Sequence, residues 1–449
     1  MKPVLLWSDL LFFLLIAVAV GGFWWGRRQE HLRDGWARVA RRPAGMAAAT
    51  LLAVFLLVGV LDSLHYRLPL PAEPGKPAAY AVEVLSALDA LLLPMKTRTE
   101  KTYSAPLATH LFAKESIEGE QGGGARDFPR LKHGGAALGD ALDRHEADLA
   151  ERALRGLAVA LAIWSVLALA AFAWLRHRRV AWRSMLATLL ALAIVTGPLA
   201  GLAGGYHVFG TDKVGQDVLY LTLKSIRTGL LIGTLTTLIM LPAAVLLGIV
   251  AGYVGGWVDD VIQYLYTTLN SIPGVLLIAA AVLMMQVIID THPDWFATAA
   301  ERADARLLAL CAILGVTSWT GLCRLLRGET LKLREMDYVQ AARAFGVRRL
   351  AIMSRHILPN VMHIVLIATV MDFSGLVLAE AVLSYVGIGV DPNTISFGTM
   401  INAARMELAR EPMVWWSLMA AFGFMFALVL AANLFADAVR DAFDPRAAQ

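Results

Sequence analysis

Stretches of roughly twenty mostly apolar residues recur nine times along this chain. They fall at 5–25, 45–65, 154–175, 183–204, 227–254, 263–289, 306–323, 361–386 and 414–435. A segment of that length crosses the hydrocarbon core of a bilayer as a helix. No other single element satisfies its own backbone hydrogen bonds there. The pattern confines the fold to an all-α, polytopic membrane protein. Composition agrees, with 58% of the 449 residues hydrophobic and 17% charged, against ~25% charged in an ordinary globular chain. The first span could be mistaken for a signal peptide. Its leading region holds only Lys2, no small-residue cleavage pattern follows, and arginines come directly after, so it reads as a retained helix.

Arginine-rich loops set the orientation. GRRQEHLRDGWARVARR (26–42) holds six arginines, RHRRVAWR (176–183) holds four, and the 327–360 loop is again rich in Arg and Lys. Alternating nine spans puts all three loops on one side, which is then cytoplasmic. The amino terminus is outside, and the carboxyl tail with Arg440 and Arg446 is inside. Asp9 lies near the outer end of its span and is expected to reach water. The net charge of +4 is divided among loops between apolar spans, so it is no nucleic-acid footprint.

The one long polar region, 66–153, falls outside in this threading. RLPLPAEPGKP (67–77) should be extended, since proline and glycine resist helix and ladder alike. GEQGGGARDFPRLKHGG (119–135) reads as a flexible loop. Residues 79–94 and 137–154 have helix-forming composition, so a small, mainly helical cap is expected, the second helix running into the third span. The chain divides into 1–65 (two helices and a basic loop), 66–153 (the insertion), 154–182 (a further helix and basic turn) and 183–449 (a six-helix carboxyl-terminal region).

Chemistry is sparse. There is no HExxH, GxSxG or Walker GxxxxGK[ST] pattern and no CxxC or Cys/His cluster, so neither an enzyme nor a metal site is indicated. Cys311 and Cys323 share one expected helix about 18 Å apart and cannot pair.

Segment 337–360, DYVQAARAFGVRRLAIMSRHILPN, is basic, amphipathic and punctuated by glycine between two spans. Residues 338–345 form one short helix, with Ala341 and Ala342 leaving its surface low enough for close approach by another backbone. Gly346 suits the left-handed position that ends a helix. Residues 348–356 form a second, with Leu350, Ile352 and Met353 on the apolar side. Pro359 then redirects the chain by holding Leu358 extended. One reading is a rigid element gripped by a soluble partner. The other is an interfacial helix resting on lipid headgroups.

Other motifs bear on that choice. HVFGTDKVGQDVL (207–219), GIVAGYVGGWVDD (248–260), NSIPGVLL (270–277), LAEAVLSYVGIGVDP (378–392), FGTM (397–400) and DAVRDAFDPR (437–446) accompany the AAxxxG of 341–346. Together they resemble the second permease subunit of dipeptide and oligopeptide ABC importers, over about 240 residues from 206 to 446. The resemblance implies a six-helix permease core from the fourth span onward, working by alternating access in the bacterial cytoplasmic membrane. It implies a coupling helix made by Gln340, Ala341, Ala342 and Gly346 that docks on a cytosolic ATPase, with Arg343, Arg348 and Arg349 giving the electrostatic contact. The family usually has glutamate where this chain has Gln340, which removes a charge but keeps the helix. The implied partners are a homologous permease, two ATPase subunits carrying ATP and Mg, an extracytoplasmic binding protein and membrane lipid. Peptides, nickel or peptide-like antibiotics are the implied cargo classes.

In the turn at 210–217, Gly210 and Gly215 mark bends and Thr211 or Asp212 can cap the following helix. Asp212 and Asp217 could instead form a carboxylate pair, though a metal would want more ligands. Asp372 and Glu380 fall within the eighth span, where a charge is costly. Either could line a path or bond to neighbouring helices. A secondary transporter should show repeats and matched broken helices, and a membrane sensor or enzyme should place its chemistry in 66–153. Neither signature is found.

Overall fold

The computed structural model describes residues 2–26, 28, 30–70, 80–117, 125–139, 141–176, 180–296 and 298–443. Most of the proline-rich stretch (71–79), part of the glycine-rich loop (118–124), residues 177–179 of the second basic loop and Arg446 lie outside the described residues.

The chain opens with β1 (Lys2–Val4) and α1 (Trp7–Gly26), then the amphipathic α2 (Glu30–Arg41). α3 (Pro43–Ser63) follows, with proline in the first turn, where its missing N–H is not needed. The polar region holds β2 (His65–Arg67), β3 (Leu85–Ser86), α4 (Ala87–Leu91), α5 (Leu93–Thr97), β4 (Glu115–Ile117) and β5 (Ala125–Asp127). Next come α6 (His145–Leu175), α7 (Trp182–Ala203), α8 (Val218–Val254), α9 (Gly256–Ser271), α10 (Gly274–Thr291) and α11 (Ala299–Arg334). The last helices are α12 (Asp337–Ala344), α13 (Arg349–Ile352), α14 (Leu358–Val386), α15 (Phe397–Glu407) and α16 (Trp416–Phe443).

Among the described residues, eight helical segments are long and apolar enough to cross a membrane, and Trp7–Gly22 is a shorter apolar helix. The fold is all-α and polytopic. The expected sixth span is not one helix. Pro273 holds Ile272 extended (φ −86°, ψ 132°) and cannot donate an N–H, so the chain breaks into α9 and α10. The polar insertion is not mainly helical either. β2 pairs antiparallel with both β1 and β3, which takes residues 85–86 out of any helix. Helix begins only at α4, where Ser86 and Asp89 form a reciprocal capping box. The second expected helix starts at His145, later than 137, and does run on into a span.

Two compact units can be distinguished, each described on its own. One comprises residues 1–5, 37–229 and 394–431. Within it α6 packs along α7 through glycines: a Cβ on Gly156 would overlap the Gly197 carbonyl oxygen, and one on Gly201 the Arg152 carbonyl oxygen. Gly197 and Gly201 form the small-xxx-small spacing that brings membrane helices into backbone contact. Lys224 of α8 lies 2.9 Å from both Asp62 and Asp89. The Tyr220 hydroxyl donates to Asp89 at 2.7 Å. Lys224, together with hydrogen bonds to Asp89, outweighs the opposing effect of burial and holds the Asp89 carboxyl down at about 2.

The second unit comprises 6–36, 230–393 and 432–449. Its core joins Met240, Ala244, Trp319, Leu322, Cys323 and Leu326. Cys311 and Cys323 are free and buried in α11. The Ser8 backbone N–H donates to Asp304 at 3.1 Å, and the hydroxyl of Ser8 bonds the same carboxylate. Asp9 beside it is fully buried. The expectation that it reaches water fails because α1 packs on α11 at that level.

Candidate functional site

Two constellations stand out, one in each unit. The first is the segment after α11. α12 ends in a Schellman motif: Gly346 N–H bonds to Arg343 O at 3.1 Å and Val347 N–H to Ala342 O at 3.1 Å, with Gly346 at φ +74°. The inner side of this segment is anchored. Val339, Ile352 and Ile357 are fully buried, joining Leu326 and Val361 in the core, with Ala342 partly buried against them. The outer side is open. Gln340, Ala341, Arg343, Gly346, Arg348 and Arg349 are all exposed. So are Phe345 at 87% and Leu350 at 76%.

Two sequence expectations fail here. Leu350 faces solvent, because the buried side of the short α13 is taken by Ile352. Pro359 does not redirect the chain, since Leu358 is helical (φ −51°, ψ −47°) and α14 follows directly. Residues Met353–Ile357 form a π turn in which Leu358 N–H reaches Met353 O. The wider turn accommodates a proline that cannot donate and would crowd the carbonyl four residues back. Gln340 donates to Glu335 at 3.2 Å, so a glutamate there would meet a like charge.

The second constellation is the turn before α8. Thr211 and Asp217 bridge across it, and Gly210 and Gly215 sit at φ +71° and +76°. The cap of α8 is Asp217, whose Oδ1 accepts from Leu219 N at 2.9 Å and Tyr220 N at 3.2 Å. It is neither Thr211 nor Asp212, because the helix begins at Val218. Asp212 instead closes the turn, accepting from Val214 N at 3.0 Å and Gln216 N at 2.8 Å. The two carboxylates serve different backbones and do not form a pair.

His207 lies buried beside Asp217, Nδ1 to Oδ2 2.8 Å, with Nε2 at an ion-pair distance of 3.5 Å from Glu100 Oε1. Glu100 comes from the polar insertion. Its carboxylate accepts from Lys132 N (2.8 Å), His133 N (2.7 Å) and Gly134 N (3.2 Å). Burial opposes both charges but is outweighed. Asp217 and Glu100 lift His207 to about 9, while His207 and the three amides hold Glu100 at about 2. Thr211 completes the contact, donating to Thr102 O at 2.9 Å and accepting from Ser104 N at 2.7 Å. Sequence reasoning found the turn and missed Glu100. Among the described residues no His/Cys/Asp/Glu group could hold a metal.

Residues 244–449 match the family described as the binding-protein-dependent transport system inner membrane component. The chain is 31% identical over 242 residues to the oligopeptide transport system permease protein OppC of Mycobacterium bovis, 54% of this chain and 77% of that protein. The chain belongs to the binding-protein-dependent transport permease family. It is also 31% identical over 243 residues to the dipeptide transport system permease protein DppC of Lactococcus lactis, 54% of this chain and 65% of that protein. The glutathione transport system permease protein GsiD of Pectobacterium atrosepticum gives 31% over 242 residues, 54% and 73%.

As a member of that family this permease is a multi-pass component of an ABC importer in the inner membrane. It is not an enzyme. ATP hydrolysis resides on separate subunits, and the permease works with an ATPase and a substrate-binding protein.

The two acidic residues of α14 differ. Glu380 is buried and accepts from the Ser384 hydroxyl at 2.7 Å. Asp372 is half-buried, and among the described residues no hydrogen bond or ion pair reaches it.

Proposed function

We propose that this permease imports peptides or peptide-like solutes, and that α12 and the turn after it form its contact with the ATPase. The relatives whose names specify oligopeptides, dipeptides and glutathione support the cargo class. The observation that carries the contact is the two-sided build of 337–357. Val339, Ile352 and Ile357 are rooted in the core while Gln340, Ala341, Arg343, Gly346, Arg348 and Arg349 face outward. A push on the outer side is then delivered to α11 and α14 through packed side chains, which transmit displacement because a close-packed interior yields little.

In this reading the arginine-rich loops lie in the cytoplasm, and two ATPase subunits carrying ATP and Mg engage this permease and a homologous one. The polar insertion faces the binding protein. Asp372, the unpartnered acid of α14, faces the solute path, and Glu380 is satisfied within the same helix by Ser384.

Gly346→Pro tests the contact. Proline cannot adopt φ +74° and removes the N–H donated to Arg343. ATP-driven uptake and co-purification of the ATPase should be lost while the amount of permease in the membrane is unchanged. Normal uptake by that variant would refute the coupling role.

A further inference from the structure

The surface at the far end of α3 is apolar where a protein facing only water would be polar. Residues Ala53, Leu56 and Leu57 are exposed along this membrane-spanning helix, as is Leu64 just past its end. The apolar exposure does not stop where the helix does. From Leu64 the chain is extended through β2, and alternate residues of a strand share a face, so Leu64, Leu68 and Leu70 continue the line, all exposed. α4 and α5 present Leu91 and Leu93, also exposed. These elements are fastened to the last turn of α3. Ala87 N donates to Leu64 O at 2.9 Å, and the Ser86 hydroxyl donates to Asp62 at 2.6 Å. Leu64 and Leu68, which flank β2, and the leucines of α4–α5 therefore sit close to the end of α3.

We propose that this patch is a lipid-contact surface, seating the start of the polar insertion in the outer leaflet at the boundary of headgroups and acyl chains. The occupant is lipid because the patch continues the exposed apolar side of a helix long and apolar enough to cross the membrane. Exposed apolar side chains grouped in this way mark an interaction site. Part of the backbone of the short helices is paired internally: Leu92 N bonds to Leu88 O at 2.9 Å and Lys96 N to Leu92 O at 3.0 Å. Such a segment can rest at the interface, where headgroups and water pair the remaining amides. The outward assignment rests on the orientation given by the arginine-rich loops.

The test uses the full importer complex in lipid nanodiscs, with Cys311 and Cys323 replaced by alanine. Single cysteines at Leu68, Leu91, Leu57 or Lys101 carry an environment-sensitive fluorophore, and the lipids carry nitroxides at shallow or deep acyl positions. Interfacial segments lie ~5–10 Å into the headgroup–acyl boundary, so labels at Leu68 and Leu91 should be quenched severalfold more by shallow than by deep nitroxides. The label at Leu57 should show the reverse, and that at Lys101 should respond to neither. Labels at Leu68 and Leu91 that match Lys101 would overturn the proposal. So would a blue-shifted emission without lipid quenching, which would mean that protein covers the patch.

Discussion

Gly215→Ala probes how the polar insertion is held. Gly215 sits at φ +76°, and a Cβ there would overlap the Glu100 carbonyl. The left-handed strain alone is worth about 1–2 kcal/mol for alanine. Moving Glu100 away breaks its N–H bond to Gly215 O, 2.9 Å in the native turn, for about 1 kcal/mol more. The Glu100 carboxylate then loses its alignment with three amides and His207, and weakened hydrogen bonds to a charged group cost about 1.5–3 kcal/mol. The sum is about 3.5–6 kcal/mol. Gly346→Ala is the matched control, because Gly346 has nearly the same φ, +74°, and nothing within reach of a Cβ. It should lose only the strain. Thermal unfolding of the purified permease, followed by exposure of Cys311 and Cys323, gives the comparison. Limited proteolysis of residues 80–135 reports whether the insertion has come loose. If Gly215→Ala melts with Gly346→Ala and keeps a protease-resistant insertion, the docking argument is wrong.

The buried His207 makes stability pH-dependent. A folded value near 9 against an ordinary 6.5 means stabilisation that is complete below 6.5 and is lost as pH rises through 9. It is worth about 3 kcal/mol at ~1.4 kcal/mol per tenfold change in proton affinity. Glu100, lowered from 4.5 to about 2, contributes above 4.5 and is lost on acidification through 2. Melting temperature should be highest between 4.5 and 6.5 and fall toward 9, and His207→Gln should flatten the alkaline fall; an unchanged slope in that variant would exclude His207 as its source. Gly201→Leu should separate α6 from α7, because its side chain would enter the space held by the Arg152 carbonyl. A loss of about 2 kcal/mol or more is expected, read as a lower yield of monodisperse protein, and an intact melt would remove the glycines as the cause of that packing.

Much of the fold was legible because hydropathy and charge act locally. Eight of the nine apolar stretches became single helices where a span was expected, and Gly346 was readable because few residues other than glycine adopt positive φ. The failures arise where a local rule meets a distant neighbour. Pro273 breaks the sixth span, and the motif NSIPG contained that signal, yet the apolar run on both sides concealed it. Pro359 obeys no simple turn rule, because a π turn absorbs it. Thr211, Asp212 and Asp217 can all cap a helix, and only the position of the first helical residue selects Asp217. Asp9 is buried where its neighbour Ser8 bonds Asp304 of α11, nearly three hundred residues away in sequence. Glu100 was out of reach for the same reason. Nothing in its own segment marks it as the second carboxylate of His207.

That last relation changes what the turn before α8 means in this chain. A positive φ by itself would admit asparagine or aspartate at some cost. At Gly210 and Gly215 the space for a Cβ is filled by the carbonyls of Ser104 and Glu100, so any side chain is excluded. The demand for glycine is therefore imposed by the insertion. Conversely, residues 100–104 direct backbone groups and a carboxylate at the turn: Glu100 N to Gly215 O, Ser104 N to the Thr211 hydroxyl, Ser104 O to Thr211 N, and the Glu100 carboxylate to His207. Were the insertion a tethered appendage, its polar groups would point to water and the glycines would be free. They are committed to the motif instead, so the insertion and the first turn of α8 fold as one piece.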